Sequence, residues 1–196
     1  MIFRRLATAA VMALSACCAG LAFATPPLPP QAAPGDLIFR QGTENVSQLV
    51  QAVDRGDFSH VGMLVGRPGQ WQVLHATPSE RPGQADAVVL DSLDFFLDAQ
   101  RARAYRLYQV ASDPSTRERA VAWAMAQQGK PFQLQGDAQD LYCTTLVWQA
   151  WQQGGMDLGV VFTKVELPVL GGLYLLPGKL LLSSRLRPLT PLLSLR

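Results

Sequence analysis

Two short alternating stretches, residues 60 to 66 and 71 to 76, flank the turn-forming tetrad Arg67-Pro68-Gly69-Gln70, and this pattern commits the middle of the chain to an antiparallel hairpin. Pairing Gly66 with Trp71 across the turn sets Leu64 opposite Val73 and Gly62 opposite His75. His60 and His75 are the 2 histidines of the sequence. In this register they stand on one face as diagonal neighbours, roughly 7–8 Å apart at the backbone, so that one imidazole can hold the other.

The rest of the folded region mixes strands with helices. Gly35-Asp36 opens it, before the apolar strand Leu37-Ile38-Phe39. Val46, Leu49, Val50 and Val53 recur at helical spacing behind Asn45, a suitable cap. Ser92 to Ala99 reads as a short helix and Ala104 to Val110 as a further strand of the same sheet. Asp113-Pro114 starts a helix through Ala120, Val121 and Ala124 that Gly129 and Pro131 stop. Cys143, Leu146, Val147, Ala150 and Trp151 share one face of a second long helix, with Asp140 as its expected cap and Gly154-Gly155 as its end. The expected fold class is α+β, an antiparallel sheet packed against helices.

Cys143 thus falls in the first turn of a helix, where unpaired N–H groups and the helix dipole favour a thiolate. Residues 1–24 have a basic start at Arg4 and Arg5, an apolar middle and the ending Ala22-Phe23-Ala24, which together read as a signal peptide. Leu14-Ser15-Ala16-Cys17 also resembles a bacterial lipoprotein signal, in which acylated Cys17 would tether the protein to a membrane. Either route places the domain outside the cytosol, in the periplasm or tethered facing it. Cleavage after Ala24 removes Cys17 and Cys18, and a single thiol in an oxidising compartment has no disulfide partner. Burial as a small hydrophobe is one explanation for Cys143. The two imidazoles favour another: Cys143 as nucleophile, His60 as general base and acid, and His75 orienting His60. That chemistry demands that Cys143 ionise below the ordinary thiol value of about 8.5. It also needs oxyanion donors, for which the Cys143 N–H comes first. Tyr142 and Ser59 offer hydroxyls as oxyanion or substrate contacts, with Thr144 beside the nucleophile and Gln41 beyond the first strand.

Four motifs carry a family resemblance: Gly35-Asp36-Leu37-Ile38-Phe39, Ser59-His60-Val61-Gly62-Met63, Leu74-His75-Ala76 and Tyr142-Cys143-Thr144-Thr145-Leu146-Val147. The set resembles the NlpC-type papain-like superfamily of cysteine hydrolases. With histidine before cysteine, it is similar to the circularly permuted branch that includes YiiX-like proteins and relatives of lecithin:retinol acyltransferase. The resemblance implies a papain-like fold, an antiparallel sheet or small half-barrel against helices, with the nucleophile at a helix N-terminus. It implies catalysis through Cys143, His60 and His75. The permuted branch often reads Tyr-Cys-Ser-Glu where Thr144 and Thr145 stand here, and its orienter is often acidic where this chain has His75.

Residues 25–34 are Pro-rich and read as a stiff tether, leaving 35–196 as a single catalytic domain. Of 17 basic and 15 acidic residues, losing Arg4 and Arg5 leaves equal numbers, and no basic cluster points to nucleic acid. The apolar stretch Val165 to Leu182, broken by Glu166, Pro168, Gly171 and Pro177, reads as a core-covering segment or a flap over acyl chains. The leading expectation is amide hydrolysis in a cell-wall peptide. The same site would serve a lipid amidase, thioesterase or acyltransferase acting on an acyl-lipid, and a non-catalytic binding domain is a further reading. No motif implies a cofactor or metal; a zinc module built on Cys143, His60 and His75 lacks any short ligand spacing.

Overall fold

The computed structural model describes residues 27–167 and 171–195. The segment read as a signal peptide, residues 1–24 with Cys17, lies outside the described residues. The fold is α+β, as expected. Seven strands form one antiparallel sheet: β1 (Leu37–Gly42), β2 (His60–Arg67), β3 (Gln70–Thr77), β4 (Ala87–Ser92), β5 (Ala102–Val110), β8 (Leu186–Pro188) and β9 (Leu193–Ser194). Their order is β4-β3-β2-β1-β5-β8, with β9 also pairing β5. A separate hairpin joins β6 (Thr163–Glu166) to β7 (Gly171–Tyr174).

The β2–β3 hairpin has the register its alternation dictates, Gly66 with Trp71 and Leu64 with Val73. The sheet is buried on both sides, which explains why Leu37, Ile38, Phe39 and Arg40 are all buried. Leu37 and Phe39 face helices α3 (Pro114–Met125) and α4 (Cys143–Gln153), packing with Ala120, Ala124, Leu146, Val147, Ala150 and Trp151. Ile38 faces the other side with Leu64, Val73, Leu107 and Phe96, the last from the short helix α2 (Leu93–Phe96). From the segment read as a tether, Leu28 and Ala32 pack on that second side.

Several local expectations change. Helix α1 (Asn45–Asp54) is capped by Glu44 rather than Asn45, with no side-chain cap bond. Tyr142, not Asp140, caps α4; its N–H donates to Thr145 Oγ1 at 2.9 Å. Asp140 instead accepts the N–H groups of Gln135 and Asp137, shaping the loop before the helix. The helix expected at Ser92 to Ala99 shrinks to α2, because β4 runs up to Ser92, whose Oγ then caps the single turn beyond it.

Candidate active site

The hairpin delivers both histidines to one point. Gly62 makes the room: a Cβ there would lie 2.3 Å from Val73 Cγ1 and 3.3 Å from His75 Cβ. His60 Nε2 sits 2.8 Å from His75 Nδ1, and His75 Nε2 sits 3.0 Å from Asp91 Oδ2. The Phe96 ring lies 5.7 Å from the His60 ring and 5.0 Å from the His75 ring, covering the side of the pair turned to the core. Asp91 comes from β4, the strand missing from the sequence reading. Burial alone would raise its carboxyl, but hydrogen bonds from His75 and Arg81 outweigh that and hold it below the ordinary carboxylate value.

Burial pushes His60 well below its ordinary 6.5, helped by the Arg40 guanidinium, and lowers His75 despite the opposing Asp91 hydrogen bond. Both rings are neutral at pH 7. Below pH 6.5 the unfolded chain binds protons that the folded rings refuse, so stability is full above that value and falls as pH drops beneath it. The slope is up to about 1.4 kcal/mol per pH unit for each ring. Urea midpoints between pH 7.5 and pH 5.5 should fall steeply in the wild type and less in His60→Gln. Parallel curves for the two proteins would contradict the assignment.

Cys143 is the first residue of α4 and is free and half-buried. Its sulfur is approached by the N–H groups of Val61, Thr144 and Cys143 itself. Val61 adjoins His60 on β2, beyond Met63–Leu74, the last paired position between β2 and β3. The expected low thiol pKa is corrected: burial pushes it up to about 11, outweighing those N–H groups and the Arg40 charge. Desolvation beats the helix N-terminus because the apolar segments packed around the sulfur strip a thiolate of more hydration than three N–H groups return. The resting pair is therefore neutral thiol and neutral imidazole.

Cys143 and His60 line one cavity of about 360 Å³. Its polar end holds Arg40, Glu44, Ser59, Thr77 and Glu80; most of its remaining wall is apolar, including Val46, Leu49 and Val50 of α1 and Val165, Tyr174 and Leu176 near the C-terminus. Arg40 is buried, stacks at 4.5 Å over Phe96, donates to the Phe96 carbonyl at 3.0 Å and pairs with Glu80. Ser59 Oγ accepts the Gly42 N–H at 2.9 Å within this wall. Tyr142 and Thr144 hold a neighbouring strand end: the Leu175 N–H donates to Tyr142 Oη at 2.7 Å, and Thr144 Oγ1 donates to the Leu175 carbonyl at 2.5 Å. The residues flanking the nucleophile thus clamp the segment that walls the cavity. Gln41, next to Arg40 on β1, is not among the cavity-lining residues.

His60, His75 and Glu80 bring ligand atoms within 4.8 Å of one another. The set does not fit a cation. His60 Nε2 and His75 Nδ1 are spent on each other, Glu80 Oε1 is taken by the Arg40 guanidinium and the Thr77 hydroxyl, and the Arg101 guanidinium lies 3.7 Å from Oε2, so two cations already face the carboxylate and would repel a metal.

A family model described as "Permuted papain-like amidase enzyme, YaeF/YiiX, C92 family" matches residues 31–168. Among solved structures, the crystal structure of metalloprotein yiiX from Escherichia coli O157:H7 is similar, with a TM-score of 0.66 at 20% identity, over 82% of this chain and 97% of that one. No curated protein matches the chain.

Proposed function

The chain belongs to the permuted papain-like amidase family of YaeF and YiiX, and from that premise we propose that it hydrolyses the amide of an apolar acyl group through a thioester on Cys143. A papain-like amidase is a thiol-dependent hydrolase, and the family membership gives this chain that chemistry. In our reading His60 is the base. As the Cys143 sulfur attacks the carbonyl, its proton passes to His60, and the Cys143 N–H at the open end of α4 meets the oxyanion. His60 then gives the proton to the departing amine, leaving an acyl-thioester. Water, deprotonated by the same ring, releases the acid and restores the thiol. A neutral resting pair suits this route, since the proton moves with the attack rather than before it.

The apolar wall of the cavity carries the choice of substrate. A cell-wall peptide, the expectation drawn from the resemblance, is polar and would leave Val46, Leu49, Val50 and Val165 without a partner. An acyl chain fills that wall. Each methylene buried is worth about 0.8 kcal/mol, or about fourfold in kcat/KM. A series of N-acyl amides of rising chain length, with cell-wall peptides alongside, checks this. We expect kcat/KM to climb steeply with chain length until the cavity is full, and Val50→Trp to erase the climb while sparing the acetyl amide. Hydrolysis of the peptides with no chain-length dependence would restore the cell-wall reading.

The basic start, apolar run and Ala22-Phe23-Ala24 ending support export of the domain to the periplasm, either free or tethered through Cys17. The yiiX neighbour is described as a metalloprotein. The misfit of His60, His75 and Glu80 to a cation speaks against carrying that description over to this chain's histidine pair.

A further inference from the structure

We infer that Asp91 is a positioning residue that fixes, through His75, which nitrogen of His60 is free to act as the base. Its catalytic consequences rest on the amidase reading, but its geometry stands alone. An ionised carboxylate only accepts hydrogen bonds, so the proton between Asp91 Oδ2 and His75 Nε2, 3.0 Å apart, belongs to the ring. A neutral imidazole carries one N–H, so His75 Nδ1 is an acceptor. The hydrogen in the 2.8 Å contact from His60 Nε2 to His75 Nδ1 therefore sits on His60. His60 is then left with a bare Nδ1, the lone pair that can take the thiol proton. One carboxylate sets two tautomers in series.

The surroundings keep this order in force. Arg81 reaches the second Asp91 oxygen at 2.5 Å, stacks 3.6 Å over the Phe95 ring and holds Asp91 in its ionised form. Phe96 packs against both rings, and His75, 0% exposed, meets no water that could offer it a rival partner. When His60 becomes imidazolium during attack, its charge is shared through His75 with the buried Asp91. The other charged groups facing the pair are Arg40, which opposes protonation of both rings, and Glu80, which favours it at His75. Among the described residues, Asp91 is the one carboxylate hydrogen-bonded to either ring.

The test begins with ¹⁵N-labelled wild-type protein at pH 7.5 and long-range ¹H–¹⁵N correlation spectra of the two rings. Both histidines should appear as Nε2–H tautomers; His75 protonated at Nδ1 overturns the inference whatever the activity. In Asp91→Asn, kcat on an acyl amide should fall between about 10²- and 10⁴-fold. KM should barely change, and the acid limb of kcat/KM should move to lower pH because the imidazolium has lost its counter-charge. Arg81→Ala, altered at a half-exposed side chain, should shift the limb modestly the opposite way, to higher pH, because the Asp91 charge then faces the rings without its compensating guanidinium. A folded Asp91→Asn protein with wild-type kcat and an unmoved limb also overturns it. If the wild type hydrolyses no acyl amide, the functional reading falls and the ring tautomers still decide the role of Asp91.

Discussion

Cys143→Ala is expected to abolish amide hydrolysis, lowering kcat by about 10⁴-fold or more, with the fold intact. The sulfur is the atom that forms the thioester, and among the described residues no other cysteine stands with His60 on the cavity wall. A methyl group in its place removes one half-buried atom at the first position of α4, ahead of the buried face that holds the helix in place. The loss should therefore appear in kcat and hardly in thermal stability. His60→Ala should cost nearly as much, and the double variant little more than either, since a nucleophile and its base act as one unit. Steady-state rates on the preferred acyl amide, with acyl-enzyme trapping by mass spectrometry, check both. Appreciable turnover by Cys143→Ala would remove the covalent route and turn attention to the family's fold as a binding scaffold.

Trp151→Ala should destabilise the protein by about 3–5 kcal/mol. That is a large part of the roughly 5–15 kcal/mol that holds an ordinary domain together. Trp151 is 0% exposed and is among the largest fully buried side chains. It sits at the far end of the face that α4 presents to the sheet, with the Arg117 guanidinium 5.6 Å from its ring. Arg117 in turn ties Asp36 and the carbonyls of Pro34 and Val110 together, so the cavity left by alanine would open beneath a junction of chain segments. Trp151→Phe should be milder than the lost volume suggests, because the buried indole N–H has no partner among the described residues and its removal relieves a cost. Urea denaturation measures both differences. Below the unfolding transition kcat should be unchanged, since Trp151 lines no part of the cavity. An alanine variant as stable as wild type would contradict the packing argument.

The sequence determined what short-range periodicity can determine. Alternation on each side of Arg67-Pro68-Gly69-Gln70 set the register of the hairpin and put His60 beside His75. The three- and four-residue spacing from Cys143 to Trp151 set the helix and its buried face, and the four motifs in permuted order carried the family. Each of these comes from neighbours along the chain. Tertiary structure decided the rest. Asp91 belongs to a six-residue strand recognisable only once β3 is there to pair with it, and its role exists only where that pairing sets it against His75. Val46 and Leu49 have the spacing of a core face, yet α1 turns them to the cavity, and nothing in their spacing distinguishes the two surroundings. Arg40 and Glu80 are 40 residues apart and meet in the wall of the site. Cys143 shows the difference most plainly. A helix N-terminus, visible in sequence, argues for a low thiol pKa, and burial by several distant segments raises it to about 11. Desolvation depends on everything that surrounds an atom, and only the folded chain supplies those surroundings.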